Sequence, residues 1–246
     1  MRHALVVGGA NGIGLAIATE LAKKDEFYKI SIVDRVPVDS SMMSDKFECH
    51  LFDLSSGDYS FFQRFIDIDT LMITAGFGQL ALFKDIDEPY IVSSMTVNAT
   101  SAMRIIHHFY NRIHSDEDFY TGVMVSIAGF MSSPFFSVYA ASKAALKIFI
   151  ESVNVELEKA GLDNRILNVS PGSIKGTSFN SQKTDLEQTE PLAKEILLHL
   201  FVKDDLFIPQ YDEVFKYVLE RYHNDFREEG RHSYDYKLNS GRVVKK

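Results

Sequence analysis

The sequence predicts a single α/β domain built on a doubly wound parallel sheet, and three observations carry that prediction. Short apolar runs alternate with longer amphipathic segments from residue 4 to residue 172. A glycine-rich turn, VGGANGIG at 7–14, joins the first run to the first amphipathic segment. The second run ends in an acid, Asp34. Strand–helix alternation of this kind is the pattern of a parallel sheet covered on both faces.

The elements follow in order. ALVV (4–7) is the first strand and Ile13 to Lys24 the first helix. KISIVD (29–34) and KFECHLF (46–52) are the second and third strands. A brief helix near 59–66 leads to the fourth strand, DTLMITA (69–75). A long helical stretch covers 87–114, and GVMVSIA (122–128) is the fifth strand. A helix from 138 to 160 precedes RILNVSP (165–171), the sixth. Beyond 172 the pattern loosens, with helices predicted near 189–202 and 211–229 and a short strand, DLFIP, at 205–209.

Composition excludes several classes. The 246 residues are 46% apolar and 24% charged, with no linker, repeat or low-complexity tract. A formal net charge of -8 without a convincing basic patch argues against a nucleic-acid partner. The locally basic end, RHSYDYKLNSGRVVKK (231–246), reads as a solvated tail. Cys49 is the only cysteine, so no intrachain disulfide forms, and the eight histidines have no metal-ligand spacing. No metal is expected. No apolar run approaches a membrane span, and HALVV starts a strand where a secretory leader would stand. A reduced, cytoplasmic protein without membrane attachment is expected.

Gly8, Gly12 and Gly14 sit where the backbone turns tightly and approaches a partner. A pyrophosphate fits, held by free N–H groups at the helix start. At the end of the second strand, the Asp34 carboxylate is placed to accept from both hydroxyls of an adenosine ribose and to repel a 2′-phosphate. That argues for NAD over NADP. Arg35 keeps NADP open, because a guanidinium pairs with such a phosphate.

In SVYAASKAAL (137–146), Tyr139 and Lys143 stand four apart and project from one helix face. On a solvated face such a pair has no chemistry. In a site, an adjacent cation brings a phenol of pKa about 10 toward the range of a general base. The pair alone leaves both readings standing.

Across residues 4–177 the chain resembles the short-chain dehydrogenase/reductase family. VGGANGIG is similar to its TGxxxGxG turn, and YAASK matches its YxASK helix. Ser126 stands thirteen residues before Tyr139, where the family keeps a serine. Asn98 in VNATSA fits its helix asparagine, Asp53 in FDLSS its adenine-contacting aspartate, and SPG (170–172) its Pro-Gly motif. The resemblance implies a Rossmann fold and an oxidoreductase that interconverts a secondary alcohol and a carbonyl compound with NAD or NADP. Tyr139 would be the general acid/base and Lys143 would lower its pKa and bind the nicotinamide ribose. Ser126 would polarise the substrate oxygen, and Asn98 would hold a water in a proton relay.

The resemblance also implies cofactor positions. These are Gly8, Asn11, Gly12, Ile13 and Gly14 in the turn, with Asp34 and Arg35 after the second strand. Asp53 and Leu54 follow the third strand, and Ala75 and Gly76 the fourth. Pro171, Gly172, Ile174 and Thr177 follow the sixth, and Tyr139 and Lys143 complete the set. Residues 1–172 would form the cofactor-binding and catalytic core, and 173–246 a divergent substrate lid and C-terminal segment. A homodimer or homotetramer built on the helices at 87–114 and 138–160 is implied. A nucleotide-binding sensor or scaffold without turnover is the alternative, and the intact Asn98, Ser126, Tyr139 and Lys143 set argues against it.

The departures set further expectations. Val7 replaces the family's usual Thr, and ITAG (73–76) replaces NNAG, which removes side chains expected to brace the cofactor loop. Thr177 lies one position late for the family's carboxamide contact. YDEVFKYVLERYHNDFREEG (211–230) reads as an amphipathic helix followed by a polar tail. In IAGFMSSPFFSV (127–138), Phe130, Met131, Phe135 and Phe136 are either an apolar substrate wall closed by Phe179, or core and subunit-contact residues.

Overall fold

Along β1 (Arg2–Val7) every side chain from His3 onward is buried. A strand turns successive side chains to opposite faces, so such burial requires cover on both. Leu5 and Val7 join one core with Ile105, Leu146 and Ile150. Ala4 and Val6 join a second with Leu15, Ile17 and Ile196. The continuous apolar run is therefore a two-faced central strand.

The computed structural model describes residues 1–177, 179 and 183–243. After β1 come β2 (Phe27–Asp34), β3 (Phe47–Leu51), β4 (Thr70–Ile73), β5 (Tyr120–Met124), β6 (Ile166–Val169) and β7 (Leu206–Phe207). All pair in parallel, in the order β3-β2-β1-β4-β5-β6-β7. The chain winds outward from β1 to β3, then returns to place β4 on the other side of β1. That reversal opens a crevice at the C-terminal ends of β1 and β4, where sheets of this type bind ligands. The predicted doubly wound parallel sheet is the observed one.

Helix α1 (Gly12–Ala22) packs beside α6 (Leu186–Phe201) on one face. On the other lie α2 (Glu88–Met95), α3 (Ser101–His108), α4 (Tyr110–Ile113) and α5 (Ser137–Lys159). A π turn, Thr96–Thr100, interrupts the predicted 87–114 stretch between α2 and α3. Such turns are inserted where a side chain must be re-aimed, and this one carries Asn98. At the N-terminal edge, buried His3 bonds Asp67 at 2.9 Å and Ser31 at 2.8 Å. Ser31 is fully buried, so this Asp–His–Ser arrangement is structural.

The C-terminal segment differs from expectation. A π turn (Tyr211–Phe215) leads into α7 (Lys216–Asn224), which stops at Asp225. The Asp225 carboxylate accepts from the N–H groups of Arg227 and Glu228 and starts a new helix, α8 (Phe226–Asn239). Glu229 is buried and pairs with Arg221 of α7 at 2.7 Å, which ties the two helices together. Residues expected as a solvated tail are thus helical through Asn239, and 244–246 lie outside the described residues.

Candidate active site

The crevice is framed by glycine. At Gly8 (φ 84°) a Cβ would stand 2.4 Å from the Ala75 nitrogen, so the exits of β1 and β4 approach only because Gly8 has no side chain. At Gly14 a Cβ would meet the Gly8 carbonyl oxygen at 2.2 Å. The Thr74 hydroxyl lies 3.0 Å from the carbonyl oxygens of both Val7 and Gly8. This corrects the expectation that ITAG leaves the turn unbraced: Thr74 does the bracing from β4. Ile13 is buried in the core beneath.

The Asn11 side chain does not cap α1. The Gly12 N–H donates instead to the Thr184 hydroxyl at 3.0 Å, across from the segment before α6. The Thr177 methyl lies 3.6 Å from where a Gly12 Cβ would be, and its hydroxyl donates to the Ile174 carbonyl at 3.0 Å. Thr177 therefore stands over the glycine turn. A positive-φ glycine turn at a helix start, with two threonine side chains closing on it, fits the pyrophosphate of a dinucleotide.

At the end of β2, one Asp34 oxygen accepts the Ala10 N–H at 3.0 Å and the other the Val36 N–H at 3.3 Å. Arg35 is exposed. After β3, Asp53 accepts from the Ser55 N–H and hydroxyl at 2.8 and 2.7 Å. Those bonds, with a smaller contribution from the Arg35 charge, hold its carboxyl below the usual range. Leu54 is buried beside it, and its carbonyl accepts the Tyr59 hydroxyl at 2.7 Å.

Four predicted catalytic side chains come from three separate places in the chain: the π turn, the exit of β5, and α5, which carries both Tyr139 and Lys143. Asn98, in the π turn, accepts the Phe77 N–H and donates to the Phe77 carbonyl, both at 2.9 Å. Its amide also reaches Ser94 and Ser142 at 3.1 and 3.2 Å. The side chain therefore clamps the loop after β4. Lys143 donates to the Met124 carbonyl at 2.8 Å, and its Nζ lies 3.3 Å from where a Gly76 Cβ would be. Ser126, just beyond β5, accepts the Ala128 N–H at 3.1 Å and lies 3.5 Å from the Pro171 carbonyl.

Burial sets the electrostatics of the pair. Burial pushes the Tyr139 phenol up to about 12, with a hydrogen bond to Ser126 opposing the rise. Burial brings the Lys143 ammonium down to about 7. The Lys143 nitrogen stands 5.8 Å from the Tyr139 ring centre. Loss of hydration dominates both shifts: it disfavours the phenolate of Tyr139 and the ammonium of Lys143.

Around Gly78 the rings of Phe136, Tyr139 and Phe179 converge, each within 3.0–3.2 Å of where a Gly78 Cβ would stand. Phe136 and Phe179 lie 5.2 Å from the Tyr139 ring centre. Phe130 does not join them. It lines a separate cleft of about 830 Å³ with Met131, Ala141, Ala144 and Arg227, with the Lys147 ammonium 4.8 Å from its ring. The helical step from Phe136 onto α5 aims only Phe136 at the phenol. Past β6, Gly172 is covered by Phe215, whose ring would lie 2.6 Å from a Cβ there.

The short chain dehydrogenase family model matches residues 2–188. The chain belongs to the short chain dehydrogenase family. The dehydrogenase is 30% identical over 219 residues to short-chain dehydrogenase srdE of Neurospora crassa, across 81% of this chain and 71% of that protein. It is 27% identical to sorbitol-6-phosphate 2-dehydrogenase of Klebsiella pneumoniae, across 72% and 70% of the two chains. Its match to uncharacterized oxidoreductase TDA5 of Saccharomyces cerevisiae is 27% identical, across 71% of this chain and only 56% of that protein. Among solved structures, a short-chain dehydrogenase of Streptomyces avermitilis superposes with TM-score 0.74 at 18% identity, covering 98% and 100% of the chains. One from Sphingobium yanoikuyae in complex with NADPH gives 0.72 at 18% identity, covering 92% and 96%.

Several residues of the dehydrogenase's site escaped sequence reasoning. Thr74 stood in plain view as a departure from a motif, and only its distance to Val7 and Gly8 reveals the brace. Thr184 and Phe215 lie where no motif was legible. Among the described residues, no group of three or more His, Cys, Asp or Glu side chains could hold a metal ion. Among the same residues, no helix is long and apolar enough to cross a membrane.

Proposed function

We propose that this dehydrogenase interconverts a secondary alcohol and a carbonyl compound with NAD or NADP, in the cytoplasm. The observation that carries the reading is the convergence of Ser126, Tyr139 and Lys143 beside a loop clamped by Asn98, at the mouth of a dinucleotide-shaped crevice. Bound there, the dinucleotide supplies or accepts the hydride. The glycine turn from Gly8 to Gly14 holds its pyrophosphate, with Asp34 at the adenosine ribose and Asp53 and Leu54 at the adenine. Ala75, Gly76, Lys143, Pro171, Gly172, Ile174 and Thr177 form the remaining wall.

Ser126 donates to the substrate oxygen and stabilises charge developing on it. Tyr139 transfers the proton. A phenol at about 12 stays protonated across neutral pH, so it is poised to give its proton to a carbonyl. The reductive step starts from this protonated phenol, and alcohol oxidation, which releases a proton, gains at alkaline pH. The relay from Lys143 to solvent runs past the backbone of the Asn98 π turn. Phe136 and Phe179 select an uncharged, apolar substrate. A panel of secondary alcohols and ketones, followed by nicotinamide absorbance with both cofactors, tests the reading. No turnover on any member would favour a sensor or scaffold.

Asp34 supports tighter binding of NAD(H) than NADP(H), although relatives in complex with NADPH keep the second cofactor in view. Because Asp34 also holds the Ala10 N–H, Asp34→Ala should weaken both cofactors and raise the NADP-to-NAD affinity ratio about tenfold. Fluorescence titration reads both constants, and an unchanged ratio would refute the role.

For assembly we propose a homodimer or homotetramer on α2, α3 and α5, where Val92, Ile148 and Val155 are exposed apolar residues. Sedimentation as a monomer at micromolar concentration would refute it.

A further inference from the structure

The family match ends at residue 188, and α8 lies wholly beyond it. One stripe of α8 is pressed onto the loop between β5 and α5. Gly230, Tyr234 and Lys237 recur at i, i+4 and i+7, the spacing of a single helix face. Gly230 brings the helix backbone close, so that a Cβ there would stand 3.9 Å from the Ser132 hydroxyl. The Tyr234 ring lies 4.5 Å from the ring of Phe135. Lys237 donates to the Ser133 hydroxyl at 2.5 Å and to the Pro134 carbonyl at 2.9 Å, with its ammonium 5.4 Å from the Phe136 ring centre.

The loop needs such support. Phe135 is buried at φ 64°, a conformation that costs a non-glycine residue energy and persists only where its surroundings enforce it. The Ala81 N–H holds the Phe135 carbonyl at 3.0 Å from one side, and Tyr234 holds the ring from the other. Burial brings the Lys237 ammonium down to about 8. An ammonium near a helix end gives up water in this way only where fixed partners replace it.

We infer that Lys237 and Tyr234 are positioning residues, which hold the Ser133–Phe136 turn from the C-terminal helix and so set where Phe136 stands against Tyr139. The inference rests on the proposed reading of Tyr139 as acid/base. Its consequence is for substrate choice: the apolar face that meets a bulky ketone is held by a helix outside the family's shared core. A substrate too small to reach Phe136 is indifferent to α8.

The test combines hydrogen exchange on the ligand-free full chain with steady-state kinetics on one bulky and one small ketone. In Lys237→Met, exchange at the Phe136 amide, which donates to Ser133, should quicken about tenfold while the sheet is unchanged. The KM for the bulky ketone should rise about tenfold with kcat and dinucleotide affinity retained. Lys237→Arg should restore most of both, and Ser133→Ala should give a smaller change in the same direction. Unchanged loop exchange in both Lys237→Met and Ser133→Ala would overturn the inference, as would a uniform rise across the chain. Faster exchange with an unchanged KM would overturn the link to substrate. A wild-type protein without turnover would refute the proposed function instead, and the exchange result would still decide whether α8 holds the turn.

Discussion

Tyr139→Phe should lower kcat by about 10³-fold or more while leaving the fold and dinucleotide affinity close to wild type. General acid–base transfer contributes about 10²–10⁴ in rate, and the substitution removes only the transferable proton. The ring keeps its contacts with Phe136 and Phe179. The lost hydroxyl belongs to a phenol that burial already holds up to about 12, so deleting it removes no charge from the resting protein at neutral pH. Single-turnover kinetics with a substrate that the wild type demonstrably uses would measure the chemical step, and calorimetry would measure the fold. Wild-type rates in the variant would mean that Tyr139 is not the acid/base.

Lys143→Met should separate activity from stability. In the unfolded chain this amine titrates at the model-peptide value of 10.5, and in the fold at about 7. Its folded value is depressed, so between those values the unfolded state binds more protons and stability rises with pH. Below pH 7 the full penalty applies; at pH 7 it is about 4 kcal/mol. Methionine removes that penalty and leaves the Met124 carbonyl without its donor, a loss of about 1–3 kcal/mol. The net expectation is a Tm higher by about 5 °C at pH 6–7, with the difference shrinking as pH rises and changing sign by about pH 10, where the lost hydrogen bond outweighs the remaining penalty. Turnover should be lost and dinucleotide affinity should fall, because the proposed contact to the nicotinamide ribose goes with the ammonium. A Tm lowered equally at pH 6 and pH 10 would refute the reading of a desolvated amine.

Those two outcomes bear on how a phenol with a high pKa serves the proposed chemistry. The site stores a neutral acid beside a cation that burial half discharges near pH 7. Groups with strongly moved titration gather where chemistry is done, which supports the catalytic reading over the scaffold.

What the sequence determined by itself was local. The alternation of buried strands and amphipathic helices gave the parallel sheet, because side-chain period follows from backbone geometry within a few residues. Gly8 and Gly14 were legible because no side chain can occupy the approach they permit, and Tyr139 with Lys143 because four residues make one helical turn. The tertiary structure decided whatever depends on residues far apart in the chain. Thr74 braces Val7 and Gly8 from the neighbouring strand, and Asn98 clamps Phe77. The shifts of Tyr139 and Lys143 follow from burial, which spacing cannot report. Phe130 and Phe136 are six residues apart in one loop, yet the turn at Phe135 sends them to different clefts. Helix α8 beyond its first turn was read as a tail because its composition is polar, and only docking on that loop gives its apolar-and-lysine stripe a partner.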